Sequence, residues 1–236
     1  MHALPEIYKW LKTGKYWFLV TSLSLIAVTV TSHHVTPIFG MVFFIFPLIG
    51  MAIMDVSYEK TGSMKSVTSK VFLNSFSKLF KRITSFGMLS LVIIISCILP
   101  YWINSKNNPI TQVPIPHGSR DNFLEITSSG LVFFIIPWGI LLILIPYIFY
   151  RFYSKRYLFF GLSITLLFIL GTGGTTPLPR MILGDTAFDI LTLDRFTLWA
   201  SIMSLPIFGE FTYRFVQGDL KILIQSKFGP FYHRLT

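Results

Sequence analysis

The stretch Gly171-Thr-Gly-Gly-Thr-Thr-Pro-Leu-Pro-Arg180 interrupts an otherwise apolar region of the chain. It follows an apolar run over 157–170 and precedes a second one over 196–213. Three glycines within four residues, followed by two prolines, do not continue a helix. The stretch therefore predicts the end of one membrane helix and a turn before the next. It is either only a loop or also a site for an anionic ligand.

The composition indicates a helical membrane protein. Hydrophobic residues make up 53% of the 236 residues and charged residues only 13%, whereas soluble domains average about 25% charged residues. Several apolar runs approach the ~20 residues that a helix needs to cross a bilayer. The single cysteine, Cys97, excludes an intrachain disulfide and a cysteine-based metal site. We expect an all-α, polytopic bundle that forms one integral membrane domain, with no internal repeat.

The apolar runs predict six transmembrane helices. Some of these runs contain prolines, which membrane helices tolerate where neighbouring helices satisfy the freed backbone carbonyls. The predicted spans are 16–31, 37–54, 86–103, 129–150, 157–170 and 196–213. Before the third span, one helical face carries Thr68, Phe72, Phe76, Leu79 and Ile83, and lysines lie on the opposite face. This pattern favours a cytoplasmic, interfacial amphipathic helix over a helix that docks a partner protein.

The distribution of positive charge predicts the orientation in the cell membrane. With both termini in the cytoplasm, most of the 20 Lys and Arg residues lie on the inner side. The outer side keeps only Lys106, Arg120, Arg180 and Arg195. Topology and anionic membrane lipids then explain the net charge of +10, so no nucleic-acid partner is implied.

The first two predicted outer loops carry histidines. His33 and His34 are adjacent, and adjacent side chains point to different sides of the backbone, so they rarely chelate one metal together. They are interpreted as a polar turn, with contact to a phosphate or a sugar as the alternative. The second loop contains His117 and Arg120. It is either solvated, with a surface ion pair, or folded over a cavity, and neither loop predicts a metal site.

The glycine-rich stretch is the strongest local signal for a ligand. The amides of Gly173 and Gly174 would form an anion-binding nest, and Arg180 and Arg195 would add bidentate donors suited to phosphate. The alternative is a helix stop without a ligand, which chemistry alone slightly favours. No Gly-Lys-Ser/Thr follows, so this is not a Walker loop. Asp194 precedes the last span and is expected to cap that helix.

Glu210 is an acid inside the last predicted span. An acid within a membrane helix is a functional candidate. Arg214 follows four residues later and offers a structural partner on the same helical face. We expect these two residues to form an ion pair near the cytoplasmic end of the span.

Two blocks resemble a known family. Gly171–Arg180, followed by Leu191-Thr-Leu-Asp-Arg-Phe-Thr-Leu-Trp-Ala-Ser-Ile-Met-Ser-Leu-Pro206, resembles the archaeal and bacterial 6-pyruvoyl-tetrahydropterin-synthase-related membrane proteins, and so does His33-His-Val-Thr-Pro-Ile-Phe-Gly40. These proteins look like GT-C glycosyltransferases. The resemblance implies an outer cavity for a polyprenyl phosphate or a phosphate-linked sugar as the donor, and no other cofactor is identified.

The chain departs from the GT-C pattern at its first outer loop. Those enzymes usually carry a catalytic acid there, whereas here the loop is a short turn without an acid, so the catalytic residues stay unknown. The resemblance then implies a partial or shortened member of the family. The alternative function is a non-enzymatic structural or accessory subunit of a membrane complex, with a partner membrane subunit. A transporter is a weaker alternative, because no inverted repeat is visible.

Overall fold

A computed structural model describes residues 2–32, 36–107 and 116–218. Every regular element in these ranges is helical, which confirms the all-α class. The α-helices are α1 (Ala3–Thr13), α2 (Tyr16–Ser32), α3 (Thr36–Gly40), α4 (Phe46–Thr61), α5 (Ser69–Asn107), α6 (Thr127–Gly130), α7 (Ile136–Trp138), α8 (Ile145–Phe152), α9 (Leu158–Leu170), α10 (Leu178–Leu183), α11 (Asp185–Ile190) and α12 (Asp194–Val216).

Two helical segments in the described ranges, Pro37–Thr61 and Ser69–Asn104, are long and apolar enough to cross a membrane. A third candidate is the pair Thr127–Leu142 and Ile145–Phe152, which is bent by 77°. The apolar helices α2 and α9 are shorter. The protein is therefore helical with two or three candidate membrane spans, and the six predicted spans are not confirmed.

The long helix α5 corrects the prediction of a separate amphipathic helix before the third span. Residues 69–107 form one helix of 39 residues that contains both predicted elements. Leu79, on the predicted apolar face, is buried and packs with Ile53 and Val56 of α4. Part of this face is therefore covered by protein instead of lipid.

The described chain divides into two compact units. The first contains the described residues up to 107 together with Phe152–Leu167, and the second contains Pro116–Arg151 and the residues from Phe168 onward. In the second unit the ring of Phe168 lies 5.4 Å from that of Phe134, 5.8 Å from Trp138 and 5.9 Å from Phe149. The single integral membrane domain stays a prediction.

The first unit begins with α1, a helix that the sequence analysis did not identify. Ile7 and Leu11 are fully buried in the core of this unit. Gly14, with a φ of 70°, ends the helix. Arg82 of α5 then donates from Nη1 to the carbonyls of Leu11 at 2.7 Å and Lys12 at 2.9 Å. Because these carbonyls have no intrahelical donor, the guanidinium caps the end of α1.

A short sequence pattern occurs once in each unit. Gly40-Met-Val-Phe-Phe-Ile-Phe-Pro47 and Gly130-Leu-Val-Phe-Phe-Ile-Ile-Pro137 share Gly, Val, Phe, Phe, Ile and Pro at the same positions. In both copies the residues after the glycine form a π-helix, Met41–Ile45 and Leu131–Ile135. In both copies the π-helix ends two residues before the proline, which cannot donate to the preceding turn.

The first copy has a side-chain donor at the carbonyl four residues before its proline. Pro47 has no N–H for the carbonyl of Phe43, four residues earlier. The hydroxyl of Ser163, on α9, donates to this oxygen at 2.7 Å. Ser163 is buried, so the bond is shielded from solvent and the helix continues into α4.

Candidate functional site

The glycine-rich stretch packs against the loop 117–123 within the second unit. The N–H of Gly174 donates to the carbonyl of Asp121 at 3.0 Å. The N–H of Phe123 donates to Oγ1 of Thr175, also at 3.0 Å. We name residues 117–123 and 171–176 the loop cluster, because these bonds join two segments about fifty residues apart in the chain.

Two glycines are needed for this close approach. A Cβ on Gly173 would lie 2.5 Å from the carbonyl oxygen of Ser119, and a Cβ on Gly174 would lie 2.3 Å from that of Arg120. Gly173 also has a φ of 60°, which other residues rarely adopt. The structure thus supplies a packing reason for both glycines.

The predicted anion nest is already partly occupied by protein. The amide of Gly174 is paired with Asp121, so an anion at this amide would have to displace a backbone carbonyl. The phosphate role of Gly173 and Gly174 stays a prediction. In the described structure their contribution is the packing of the loop cluster.

His117 is folded into the loop cluster through Ser119. Its Nδ1 accepts from the N–H of Ser119 at 3.2 Å and lies 2.8 Å from the Ser119 hydroxyl. That hydroxyl accepts from the N–H of Leu193 at 2.9 Å, so its own proton is available to Nδ1. An accepting Nδ1 places the proton of the neutral ring on Nε2. Since Ser119 is fully buried, this loop is packed against the start of α12.

Arg180 is exposed and already paired with acids. Its guanidinium contacts Asp185 at 2.8 Å and Asp189 at 3.1 Å and lies over the ring of Phe188 at 4.5 Å. The hydrogen bond to Asp185 is the main cause that raises the pKa of Arg180. One guanidinium with two carboxylates carries net negative charge, so the cluster repels a free anion until one carboxylate moves away.

Arg120, Asp194 and Arg195 lie around the junction of the loop cluster with α11 and α12. Arg120 donates to the backbone carbonyl of Asp189. Asp194 is the first residue of α12, where negative charge is favourable. Leu193 holds the N-cap position, so Asp194 is not the predicted cap. Arg195 is half-buried, and it forms no hydrogen bond or ion pair with the residues that the structure describes.

The remaining sequence predictions concern histidines and metals. His33 and His34 lie outside the described residues. Within the described ranges, no three His, Cys, Asp or Glu side chains lie close enough together to hold a metal ion.

A groove of about 660 Å³ lies beside the loop cluster. Its wall is mostly apolar and includes π-helix residues, and four of the lining residues carry hydroxyl groups. The apolar lining is Phe123, Leu124, Leu131, Phe134 and Ile135, and the hydroxyl-bearing lining is Thr127, Ser128, Thr172 and Thr175. A mostly apolar lining that also offers hydroxyl groups suits an amphiphile, with a hydrocarbon tail on the apolar side chains and a polar head at the hydroxyl groups.

The predicted pair of Glu210 and Arg214 is confirmed, with an N–O distance of 2.9 Å. A second partner was missed. Arg151 holds the same carboxylate at 2.6 Å and 3.0 Å. The two groups lie 59 positions apart, and no sequence spacing indicates such a contact. Glu210 is thus bound between two arginines in the second unit, which supports the structural interpretation of this acid.

A buried acid in the first unit was also missed. Asp55 is 7% exposed, and Arg156 holds its carboxylate at 2.7 Å and 3.0 Å. The hydroxyl of Tyr8 donates to the same carboxylate at 2.7 Å. Burial and the Asp55 carboxylate raise the pKa of Tyr8 to about 12. The sequence does carry a signal for Asp55, because an acid within an apolar helix is a functional candidate. It was missed because the predicted span ended at residue 54, whereas α4 continues to Thr61.

No family model, no curated protein and no solved structure matches this chain, so its functional interpretation depends on the geometry described above.

Proposed function

We propose that this protein is a multi-pass membrane protein that binds a lipid-linked phosphate in the groove beside the loop cluster. The observation that carries the proposal is the lining of this groove, which is mostly apolar and contains four hydroxyl-bearing residues. The resemblance to GT-C glycosyltransferases adds the expectation that the ligand is a polyprenyl phosphate or a phosphate-linked sugar. We place the groove on the outer side of the cell membrane, with both termini in the cytoplasm.

The tail of the ligand lies against the apolar wall. Leu131, Phe134 and Ile135 belong to Thr127–Leu142, part of a candidate membrane span. A hydrocarbon chain can therefore enter this wall from the surrounding bilayer. Aromatic side chains offer a large apolar contact area for it, with about 25 cal/mol gained per Å² of apolar surface removed from water.

The head of the ligand lies at the hydroxyl-bearing lining residues and near the start of α12. Thr197 of that helix donates to the carbonyl of Gly171 at 3.2 Å, and Leu193 donates to Ser119. Arg195 lies between these two anchored residues. It is half-buried and has no carboxylate partner among the described residues, so we assign it the main phosphate contact. Arg180 contributes only when it releases Asp185 or Asp189.

The alternative is a non-enzymatic accessory subunit. Its specific support is the pairing of nearby acids. Asp185 and Asp189 bind Arg180, and Asp121 accepts a hydrogen bond from Ser129 at 2.6 Å. Because a general base has to be available to its substrate, we assign no catalytic residue. A stoichiometric partner that co-purifies in mild detergent would support this alternative, and transferase activity of the isolated protein would refute it.

Binding of polyprenyl phosphate to the protein in lipid nanodiscs tests the proposal. Leu131 lines the groove and is 53% exposed, and Leu205, outside this lining, is 52% exposed. We expect Leu131→Trp to weaken binding about tenfold, equivalent to 1.4 kcal/mol, because the indole fills the groove. Leu205→Trp is the matched control and should leave binding unchanged.

The phosphate contact is tested separately, with the dephosphorylated polyprenol as the comparison ligand. We expect Arg195→Ala to reduce the preference for the phosphorylated lipid, and Arg180→Ala with Arg195→Ala to remove it. Unchanged preference in the double variant would refute the phosphate site. Equal effects of Leu131→Trp and Leu205→Trp would refute the groove.

A further inference from the structure

A second apolar groove, of about 440 Å³, lies within the first compact unit. It runs beside the first copy of the repeated pattern, along residues 42–53, and α9 contributes lining residues between 159 and 166. Phe72 and Phe76 of α5 complete the lining. The ring of Phe72 stacks on that of Phe159 at 5.9 Å, so the first turns of α5 and α9 meet at one end of the groove.

The shape of this groove depends on a glycine. A Cβ on Gly50 would lie 2.4 Å from the ring of Phe159. Glycine therefore lets the Phe159 ring lie directly against α4. Along the helix, residues 42–53 span about 16 Å at 1.5 Å per residue. This is about half of the ~30 Å hydrocarbon core of a bilayer, which is the depth of one leaflet.

The groove has little to offer a polar ligand inside. Ser163 is the hydroxyl in its lining, and this hydroxyl donates to the carbonyl of Phe43. The other lining residues are apolar side chains and Gly50. An apolar wall on a candidate membrane span, with its polar group paired, fits a hydrocarbon chain.

Positive charge lies just before the helix turns that meet at Phe72 and Phe159. The ammonium of Lys155 donates to the backbone carbonyl of Lys65 at 3.4 Å, so the segments that precede α9 and α5 are adjacent. Both lysines are exposed. The carboxylates of the described first unit pair with other cations: Glu6 with Lys9, Asp55 with Arg156 and Glu59 with Lys12. Neither Lys65 nor Lys155 is therefore paired with a carboxylate of the described first unit, so neither ammonium charge is neutralised there.

We propose that this groove binds one acyl chain of an anionic phospholipid and that Lys65 and Lys155 hold its phosphate. A ligand that fits both the apolar groove and the two lysines has a hydrocarbon chain and a negatively charged head, so it is an anionic amphiphile. Lysines close to the membrane surface attract anionic lipid head groups. The site belongs to a different unit from the groove for the lipid-linked phosphate and stands independently of that proposal.

Native mass spectrometry of the detergent-solubilised protein tests the head-group contact. The probes are phosphatidylglycerol and phosphatidylcholine with identical chains. We expect the wild type to prefer phosphatidylglycerol, and Lys65→Gln with Lys155→Gln to reduce this preference about tenfold. Lys78→Gln with Lys81→Gln removes the same charge from exposed positions of α5 outside the groove lining. This control should keep the preference.

A filling substitution tests the acyl-chain contact. Leu162 lines the groove and is 55% exposed, and Leu91, outside this lining, is 49% exposed. We expect Leu162→Trp to weaken binding of both phospholipids and Leu91→Trp to leave it unchanged. Equal binding in these two variants, or full preference in the Lys65/Lys155 variant, would overturn the proposal. Polyprenyl-phosphate binding should stay unchanged in all four variants, so this result separates the two lipid sites.

Discussion

The two copies of the repeated pattern form the same π-helix but are followed by different structures. In the first unit the helix continues after Pro47 through α4 to Thr61. In the second unit Gly139 follows Pro137 by two positions and adopts a φ of 49° and a ψ of −129°. A 3₁₀ segment and a bend of 77° come next. The local pattern thus determines the π-helix, whereas the residues after the proline decide whether a straight helix follows.

The surroundings of the two copies explain part of this difference. In the first unit Ser163 donates a hydrogen bond to the carbonyl of Phe43, four residues before Pro47, so this carbonyl has a partner that does not depend on position 47. In the second unit Trp138 is 1% exposed and packs on Phe168. Gly139 then turns the backbone immediately after this buried anchor. Each groove lies next to its π-helix, so both copies shape a lipid-sized surface.

The largest expected effect tests the turn in the second unit. Gly139→Ala should destabilise the protein by about 1–3 kcal/mol, because alanine is strained at this φ and ψ. No atom lies within 4 Å of the added Cβ, so the cost comes from the backbone. Gly209→Ala, also in open space but without a positive φ, should stabilise α12 by up to about 1 kcal/mol. Thermal unfolding in detergent measures both, and equal shifts would contradict the account of the turn.

An intermediate effect tests the continuation in the first unit. Ser163→Ala should cost about 1–3 kcal/mol, because the buried hydrogen bond between Ser163 and the Phe43 carbonyl is lost. Pro47→Ala restores an N–H that can reach the Phe43 carbonyl. In that background we expect Ser163→Ala to cost less, and a double-mutant cycle from unfolding measurements quantifies the coupling. Additive costs would show that Ser163 does not compensate for the proline.

The smallest effect concerns pH and the buried acid of the first unit. The pKa of Tyr8 is raised to about 12, so its neutral form is favoured in the folded protein. This contribution to stability is complete below the unfolded pKa of about 10 and is lost as the pH rises towards 12. The difference between the ultraviolet titrations of the wild type and of Tyr8→Phe measures the pKa of Tyr8.

The Asp55→Asn variant separates the causes of this pKa shift. We expect the pKa of Tyr8 to fall but to stay above its ordinary value, because burial is the largest cause and remains. A Tyr8 hydroxyl that titrates at its ordinary pKa in the wild type would show that it is not held against Asp55.

Local sequence signals predicted the features that depend on neighbouring residues. The apolar runs located α2, α9 and α12 to within a few residues. The ion pair of Glu210 and Arg214 followed from their spacing along one helix. The missed helix α1 carries such a signal too, because Ile7, Trp10 and Leu11 recur at helical spacing and are buried.

Contacts between distant segments were not predictable in this way. The packing of the glycine-rich stretch depends on the loop 117–123, and Asp55 depends on Arg156, 101 positions away. No periodicity encodes such pairs. The sequence analysis did not predict that the amphipathic segment and the third span form one helix, α5. The reason is that the environment of this long helix changes along its length, from a face packed on α4 to an apolar span.

The sequence by itself determined the helical class, the apolar character, the excess of positive charge and the place where the chain breaks at Gly171. These properties are sums over local residues, and each residue contributes to them wherever the fold places it. Only the tertiary structure decided that Gly174 binds a carbonyl, that Arg180 is paired with two acids and that Lys65 and Lys155 have no acid partner among the described residues. The physical reason is that a charge or an amide is available to a ligand only when no other segment of the chain has satisfied it first.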